Sequence, residues 1–129
     1  MAQIKIFGVS EELNIRKANL SKVLHSCVVD ALGLPADKKF HRFFPIEREN
    51  FLYPRGRTDR YTIIEISMFE GRSTESKKEL IRLIYKRFKE ELAIAENDVE
   101  ITIFETPKCN WGIRGKPGDE LDLNYNVNI

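Results

Sequence analysis

The stretch that decides the fold is TIIEISMFEGRST, residues 62–74. Its first half is rich in β-branched residues, which predicts a strand ending near Met68. Its second half leads into a segment with helical periodicity, and Ser73 is a suitable N-cap for that helix. Arg72 therefore lies where a strand gives way to a helix. Helix N-termini expose unpaired N–H groups that suit anionic ligands, so this turn is a candidate site.

The residues after this turn complete a strand-helix-strand unit. Apolar residues recur at three- and four-residue steps from Leu80 to Leu92, which predicts a helix with one apolar stripe. The segment VEITIFE, residues 99–105, then alternates apolar and polar residues, and Pro107 ends it. This alternation predicts a strand with Val99, Ile101 and Ile103 towards the core.

The first half of the chain repeats this order. Residues 2–9 predict a strand, Ser10 is positioned to cap a helix that ends near Gly33, and residues 40–45 predict a second strand. We therefore divide the chain into two repeats, 2–60 and 62–115, within a single domain over 1–129. Strands joined through a helix are expected to be parallel with a right-handed crossover. The predicted fold is α/β (α+β), with two β-α-β units forming a four-stranded sheet that carries two helices on one face.

The last segment, LDLNYNVNI at residues 121–129, alternates strictly and predicts a short C-terminal strand. It follows the turn-forming residues 115–119 and has no evident partner in its own β-α-β unit. Two arrangements fit this pattern equally well: pairing with a neighbouring subunit, or a local hairpin on the same chain.

Composition excludes several classes of protein. The 129 residues include 21 basic and 20 acidic side chains, for a formal charge of +1, which lacks the positive field expected of a nucleic-acid binder. There is no long apolar run and no signal-peptide pattern, so we expect a cytoplasmic protein that does not associate with membranes. Cys27 and Cys109 lack metal-ligand spacing. We expect free thiols, no metal and no cofactor.

Residues 45–61 have no regular period and contain several arginines, among them Arg55 and Arg57, beside the aromatic residues Phe51 and Tyr53. One interpretation is a substrate loop whose guanidinium groups bind carboxylates. The other is a solvated linker between the two repeats. The sequence gives the two equal weight.

Four segments taken together resemble one family. They are IIEISMFEGRS (63–73), SKK (76–78), VEITIFET (99–106) and NWGIRG (110–115). In order and spacing they resemble 4-oxalocrotonate tautomerase and its superfamily, and the two-repeat length is similar to the longer fused members such as malonate semialdehyde decarboxylase. The resemblance implies a homotrimer with pockets at subunit contacts, acting on small carboxylate-bearing molecules. It also implies that Arg72 holds a substrate oxygen and that Trp111 lines the pocket.

The chain departs from this family at its defining group. The superfamily uses an N-terminal proline as base or acid, whereas this chain has Ala2 after Met1. Removal of Met1 would expose a primary α-amine with an ordinary pKa of about 7.7–8.0, which burial and nearby arginines are expected to lower. Lys38, Glu70 and Glu100 also replace residues of the family's pattern, and Arg55 and Arg57 are candidates to supply the missing positive charge.

Two functions are consistent with these residues. The first is an enzyme that acts on a small 2-oxo or enol acid, with Ala2 and Arg72 as catalytic residues and with Arg55, Arg57 and Trp111 binding the substrate. The second is a non-catalytic trimeric relative that binds small anions or serves as an interaction protein. An RNA-binding sheet ranks last, because the strands lack clustered aromatic and basic residues.

Overall fold

The computed structural model describes residues 2–123 and 125–129. The chain forms a four-stranded sheet, two long helices and a short hairpin. The elements in order are β1 (Ala2–Val9), α1 (Ser10–Leu32), β2 (His41–Ile46), β3 (Thr62–Phe69), α2 (Thr74–Leu92), β4 (Val99–Thr106), β5 (Gly112–Ile113) and β6 (Lys116–Pro117).

The strands of the large sheet lie in the order β2-β1-β3-β4. Within each repeat the two strands are parallel, and the repeats meet through the antiparallel pair of β1 and β3. The predicted pair of β-α-β units is therefore confirmed. The antiparallel junction places the N-terminal end of β1 beside the C-terminal end of β3, with Ala2 opposite Met68.

Strand alternation separates the two faces of the sheet. The face that carries Ile4, Ile6, Ile64 and Ile66 packs against both helices, and these four side chains are at most 2% exposed. Burying an isoleucine side chain contributes about 1.5–3 kcal/mol, so this layer dominates the stability of the fold. On the opposite face Ile63 packs against the cluster of Val9, Phe51 and Tyr61, whereas Phe104 is 47% exposed.

The two long helices begin differently. Ser73 caps α2 as predicted, since its Oγ accepts a hydrogen bond of 3.1 Å from the Ser76 N–H. The predicted Ser10 cap of α1 is wrong: α1 begins at Ser10 itself, and Val9 is its N-cap residue. The Ser10 hydroxyl instead donates to Glu47 at 3.4 Å.

The predicted C-terminal strand does not form in the described part of the chain. Among the described residues 121–123 and 125–129 no strand forms; Met1 and Asn124 lie outside the description. An alternating segment becomes a strand only when it pairs with another strand, and the described residues of this segment pair with none. The local hairpin lies earlier, between β5 and β6. Its tip residues Arg114 and Gly115 both have positive φ, 50° and 82°, as a type I′ turn requires.

None of the helices in the described part of the chain is long and apolar enough to span a membrane.

Candidate functional site

Three of the five predicted site residues lie at one end of the sheet. Ala2 begins β1 and is 5% exposed, opposite Met68 near the end of β3. Arg72 follows β3 by three residues, and the Trp111 ring packs edge-on against Phe69 with centroids 5.1 Å apart. This end of the sheet is the candidate active site.

Arg72 is a buried cation. It is 5% exposed, and its Nη1 donates to the Phe69 carbonyl at 3.3 Å. Its Nε and Nη2 have no hydrogen-bond partner among the described residues. Burial lowers the pKa of the Arg72 guanidinium from its ordinary value, while Tyr125 and Glu105 act in the opposite direction. Two buried donors without acceptors are the arrangement expected where an anionic ligand binds.

Trp111 fixes the β5–β6 hairpin against the end of β4. Its Nε1 donates to Thr106 Oγ1 at 2.7 Å, and its carbonyl accepts from the Gly118 N–H at 2.8 Å. A Cβ at Gly118 would clash with the Lys108 carbonyl oxygen, so glycine is required there. The hairpin is thereby held with Arg114 at its tip.

A cavity of about 240 Å³ opens beside this hairpin. Lys38, Arg114, Asp122 and Tyr125 supply polar groups to its wall; the other lining residues are Phe40, Leu121 and Leu123. The Phe40 carbonyl accepts from the Ile4 N–H at 2.9 Å, so the cavity lies next to the start of β1. The cavity wall therefore carries two cationic side chains, one carboxylate and a phenol, and it lies beside the start of β1.

Tyr125 adds a phenol to this cationic region. Burial raises its pKa above the ordinary value, and Arg72 and Arg114 partly oppose that increase. The phenol is consequently protonated at neutral pH and is able to donate a hydrogen bond to a ligand oxygen.

The predicted loop arginines lie elsewhere in the chain. Arg57 pairs with Glu100 at 3.1 Å, and its guanidinium lies 5.9 Å from the centre of the Tyr61 ring. These contacts are at the start of β3 and β4. Since β3 has eight residues, Arg57 and Arg72 are separated by roughly 23 Å along the strand.

Arg55 is exposed in the turn before Arg57. Neither arginine reaches the Ala2 end within one chain, so a role for them at that site requires a neighbouring subunit. The loop that contains both arginines is held in place by hydrogen bonds, because the Thr58 N–H and hydroxyl both donate to the buried Asp98 carboxylate at 2.7 Å.

Sequence reasoning missed Arg114 and Tyr125 as site residues. Arg114 lies in the NWGIRG segment, at the tip of a hairpin between two pairs of residues that form strands. That position is the sequence signal that could have identified Arg114 as a site residue. Tyr125 was assigned to an alternating strand, and no sequence signal connects it with Arg72. In the described ranges, no group of three or more His, Cys, Asp or Glu side chains is arranged to hold a metal ion.

Comparison with known proteins gives consistent matches. A family model described as tautomerase enzyme matches residues 38–114. The probable tautomerase YusQ of Bacillus subtilis (strain 168) is 29% identical over 114 residues, which cover 84% of this chain and 88% of that protein. The 2-hydroxymuconate tautomerase of Comamonas testosteroni is 39% identical over 57 residues, which cover 44% of this chain and 90% of that protein.

Solved structures give the same fold. A malonate semialdehyde decarboxylase superposes with a TM-score of 0.80 at 18% identity, covering 89% of this chain and 93% of that one. A fused 4-OT solved as an asymmetric trimer superposes with a TM-score of 0.79 at 21% identity, covering 91% of this chain and 96% of that one.

Proposed function

The chain belongs to the tautomerase family, and from that premise we propose that it transfers a proton within a small 2-oxo or enol carboxylic acid. One observation carries the proposal. The start of β1, the buried Arg72 and a cavity lined by Lys38 and Arg114 meet at one end of the sheet. This arrangement supports a proton carrier on Ala2 with cations for a carboxylate nearby.

The cations bind the substrate and stabilise developing charge. Arg114 and Lys38 face the cavity and attract the carboxylate. The protonated Tyr125 phenol donates to the 2-oxygen, where negative charge develops as an enol is converted to its ketone. Trp111 keeps Arg114 in position by anchoring the hairpin.

The Ala2 amine carries the proton. With Met1 removed, the neutral amine accepts the proton of the enol hydroxyl and returns a proton to the neighbouring carbon, so the net change is an isomerisation. General acid–base transfer of this kind is typically worth about 10²- to 10⁴-fold in rate. In a homotrimer, Arg55 and Arg57 of a neighbouring subunit are the further cations available to such a site.

The second candidate function is a non-catalytic anion binder, again as a homotrimer. The observation that favours it is Ala2 itself, which replaces the secondary amine of proline. Retention of Met1 would leave the cations and remove the proton carrier, giving binding without turnover.

Ketonisation of phenylenolpyruvate tests the proposal. Arg114→Gln removes a charge-assisted hydrogen bond worth about 1.5–3 kcal/mol, so kcat/KM is expected to fall about tenfold or more. Arg82→Gln, on the exposed side of α2, is the matched control and should leave kcat/KM unchanged.

Equal kcat/KM for the Arg114→Gln variant and the wild type would place the substrate elsewhere. Malonate binding by calorimetry, with no turnover of phenylenolpyruvate by the Met1-free protein, would favour the non-catalytic candidate.

A further inference from the structure

The cavity beside the β5–β6 hairpin contains a carboxylate that the proposed reaction does not use. Asp122 lines this cavity together with Leu121 and Leu123, although the three residues are consecutive. In a strand, Asp122 would point to the face opposite the two leucines. The described residues 121–123 form no strand, so all three side chains are able to face the same space. Alternation in the sequence alone would therefore have excluded Asp122 from the site.

The charges of the cavity wall match a ligand with one negative charge. Lys38 and Arg114 are the two cations of the wall and Asp122 is its one carboxylate, which leaves a net charge of +1. Within the described part of the chain, none of these three side chains forms an ion pair with another residue. A monocarboxylate neutralises this wall, whereas a dicarboxylate brings one negative charge too many.

The size of the cavity keeps every charge of a ligand near Asp122. A sphere of about 240 Å³ is roughly 8 Å across, which is about the Debye length at physiological ionic strength. Salt therefore screens only part of the repulsion between Asp122 and a second carboxylate in the same cavity. The first carboxylate is compensated by the two cations, and the second has no cation left to it.

The rest of the wall is apolar. It consists of Phe40, which is 39% exposed, and of the half-buried Leu121 and Leu123. Each methylene of a ligand that is buried against such a surface strengthens binding about fourfold. A carboxylate at the same place would lose hydration without gaining a partner. This part of the wall therefore favours a ligand whose second end is apolar.

We propose that Asp122 is a specificity-determining residue, which restricts the site to monocarboxylic 2-oxo or enol acids whose remaining part is apolar. The inference rests on the proposed function for the reacting group and adds the number of carboxylates that the site accepts. Lys38 and Arg114 attract the single carboxylate of the substrate. The apolar end packs against Phe40 and its neighbours, and Asp122 repels any second carboxylate at that end.

Two ligands with the same five-carbon skeleton test this specificity. 2-Oxopentanoate ends in a methyl group and 2-oxopentanedioate ends in a carboxylate. Calorimetry on the wild type should show that the monocarboxylate binds about fivefold more tightly or better. In Asp122→Asn the ratio of the two dissociation constants should fall about threefold or more towards the dicarboxylate. Asp119→Asn removes the same charge at an exposed position outside the cavity and should keep the wild-type ratio.

The ratio cancels any change in folding that affects both ligands equally. An unchanged ratio in Asp122→Asn, with the monocarboxylate still bound, would overturn the role of Asp122 and leave the proposed function standing. Tighter binding of the dicarboxylate by the wild type, or an equal fall of the ratio in Asp119→Asn, would overturn that role as well. Binding of neither ligand by any of the three proteins would overturn the proposed function and this inference with it.

Discussion

Replacing Arg72 by methionine should stabilise the protein. The side chain is 5% exposed, and its Nε and Nη2 lack hydrogen-bond partners among the described residues. A buried unsatisfied donor costs about 1–3 kcal/mol, whereas the lost Nη1 bond to the Phe69 carbonyl contributes about 0.5–1.5 kcal/mol. Methionine fills most of the same volume without a charge. Two such donors together cost about 2–6 kcal/mol, so after the lost bond is subtracted the free energy of unfolding should rise by about 0.5–5.5 kcal/mol.

Urea unfolding measures this gain, with wild type and variant compared at the same protomer concentration because subunit assembly would make stability depend on concentration. Arg82→Met on exposed α2 surface is the control and should stay within about 0.5 kcal/mol of the wild type. A loss of more than about 1 kcal/mol in Arg72→Met at unchanged m-value would refute the reasoning, since it would mean that the guanidinium is paired in the folded protein.

Two further predictions concern the pH response and the assembly. Burial lowers the pKa of His41 from 6.5 to about 4; the unfolded chain therefore takes up a proton that the folded chain does not, and stability falls as the pH drops from 6.5 towards 4. His41→Asn should flatten this part of the pH profile of urea unfolding, and an equally steep profile would exclude His41 as its source. Replacing Leu121 and Leu123 together by Asp should dissociate the proposed trimer in sedimentation velocity if residues 121–129 pair between subunits. A double variant that still sediments as a trimer would contradict pairing between subunits.

The sheet and its two long helices could be predicted because their signals are local. The buried face of β4 is indicated by the alternation in residues 99–105, and that of α2 by the apolar stripe from Leu80 to Leu92. The start of α2 is indicated by Ser73. The predicted Ser10 cap was wrong because the Ser10 hydroxyl donates a hydrogen bond to Glu47, 37 residues away in sequence, and does not cap the helix. Such a contact cannot be read from local pattern.

The candidate site was only partly predictable for the same reason. Arg72 and Trp111 stand in segments that carry the family resemblance, whereas Tyr125 reaches the cavity because residues 125–129 cross the turn at Gly71. Alternation in 121–129 predicted a strand, but alternation cannot supply the neighbouring strand that pairing needs. The partner of Arg57 also depends on tertiary structure, since Glu100 lies 43 residues further along the chain.

The measurement that tests the central claim most directly is the ketonisation of phenylenolpyruvate by two preparations that differ only at the N-terminus. One preparation begins at Ala2 and the other retains Met1, each verified by intact mass. We expect the Ala2-first protein to accelerate ketonisation and the Met1-retaining protein to lose that acceleration by about 10²-fold or more, since its Ala2 nitrogen is a peptide amide that cannot take up the proton. Equal rates in the two preparations, or no acceleration by the Ala2-first protein, would contradict proton transfer by the Ala2 amine.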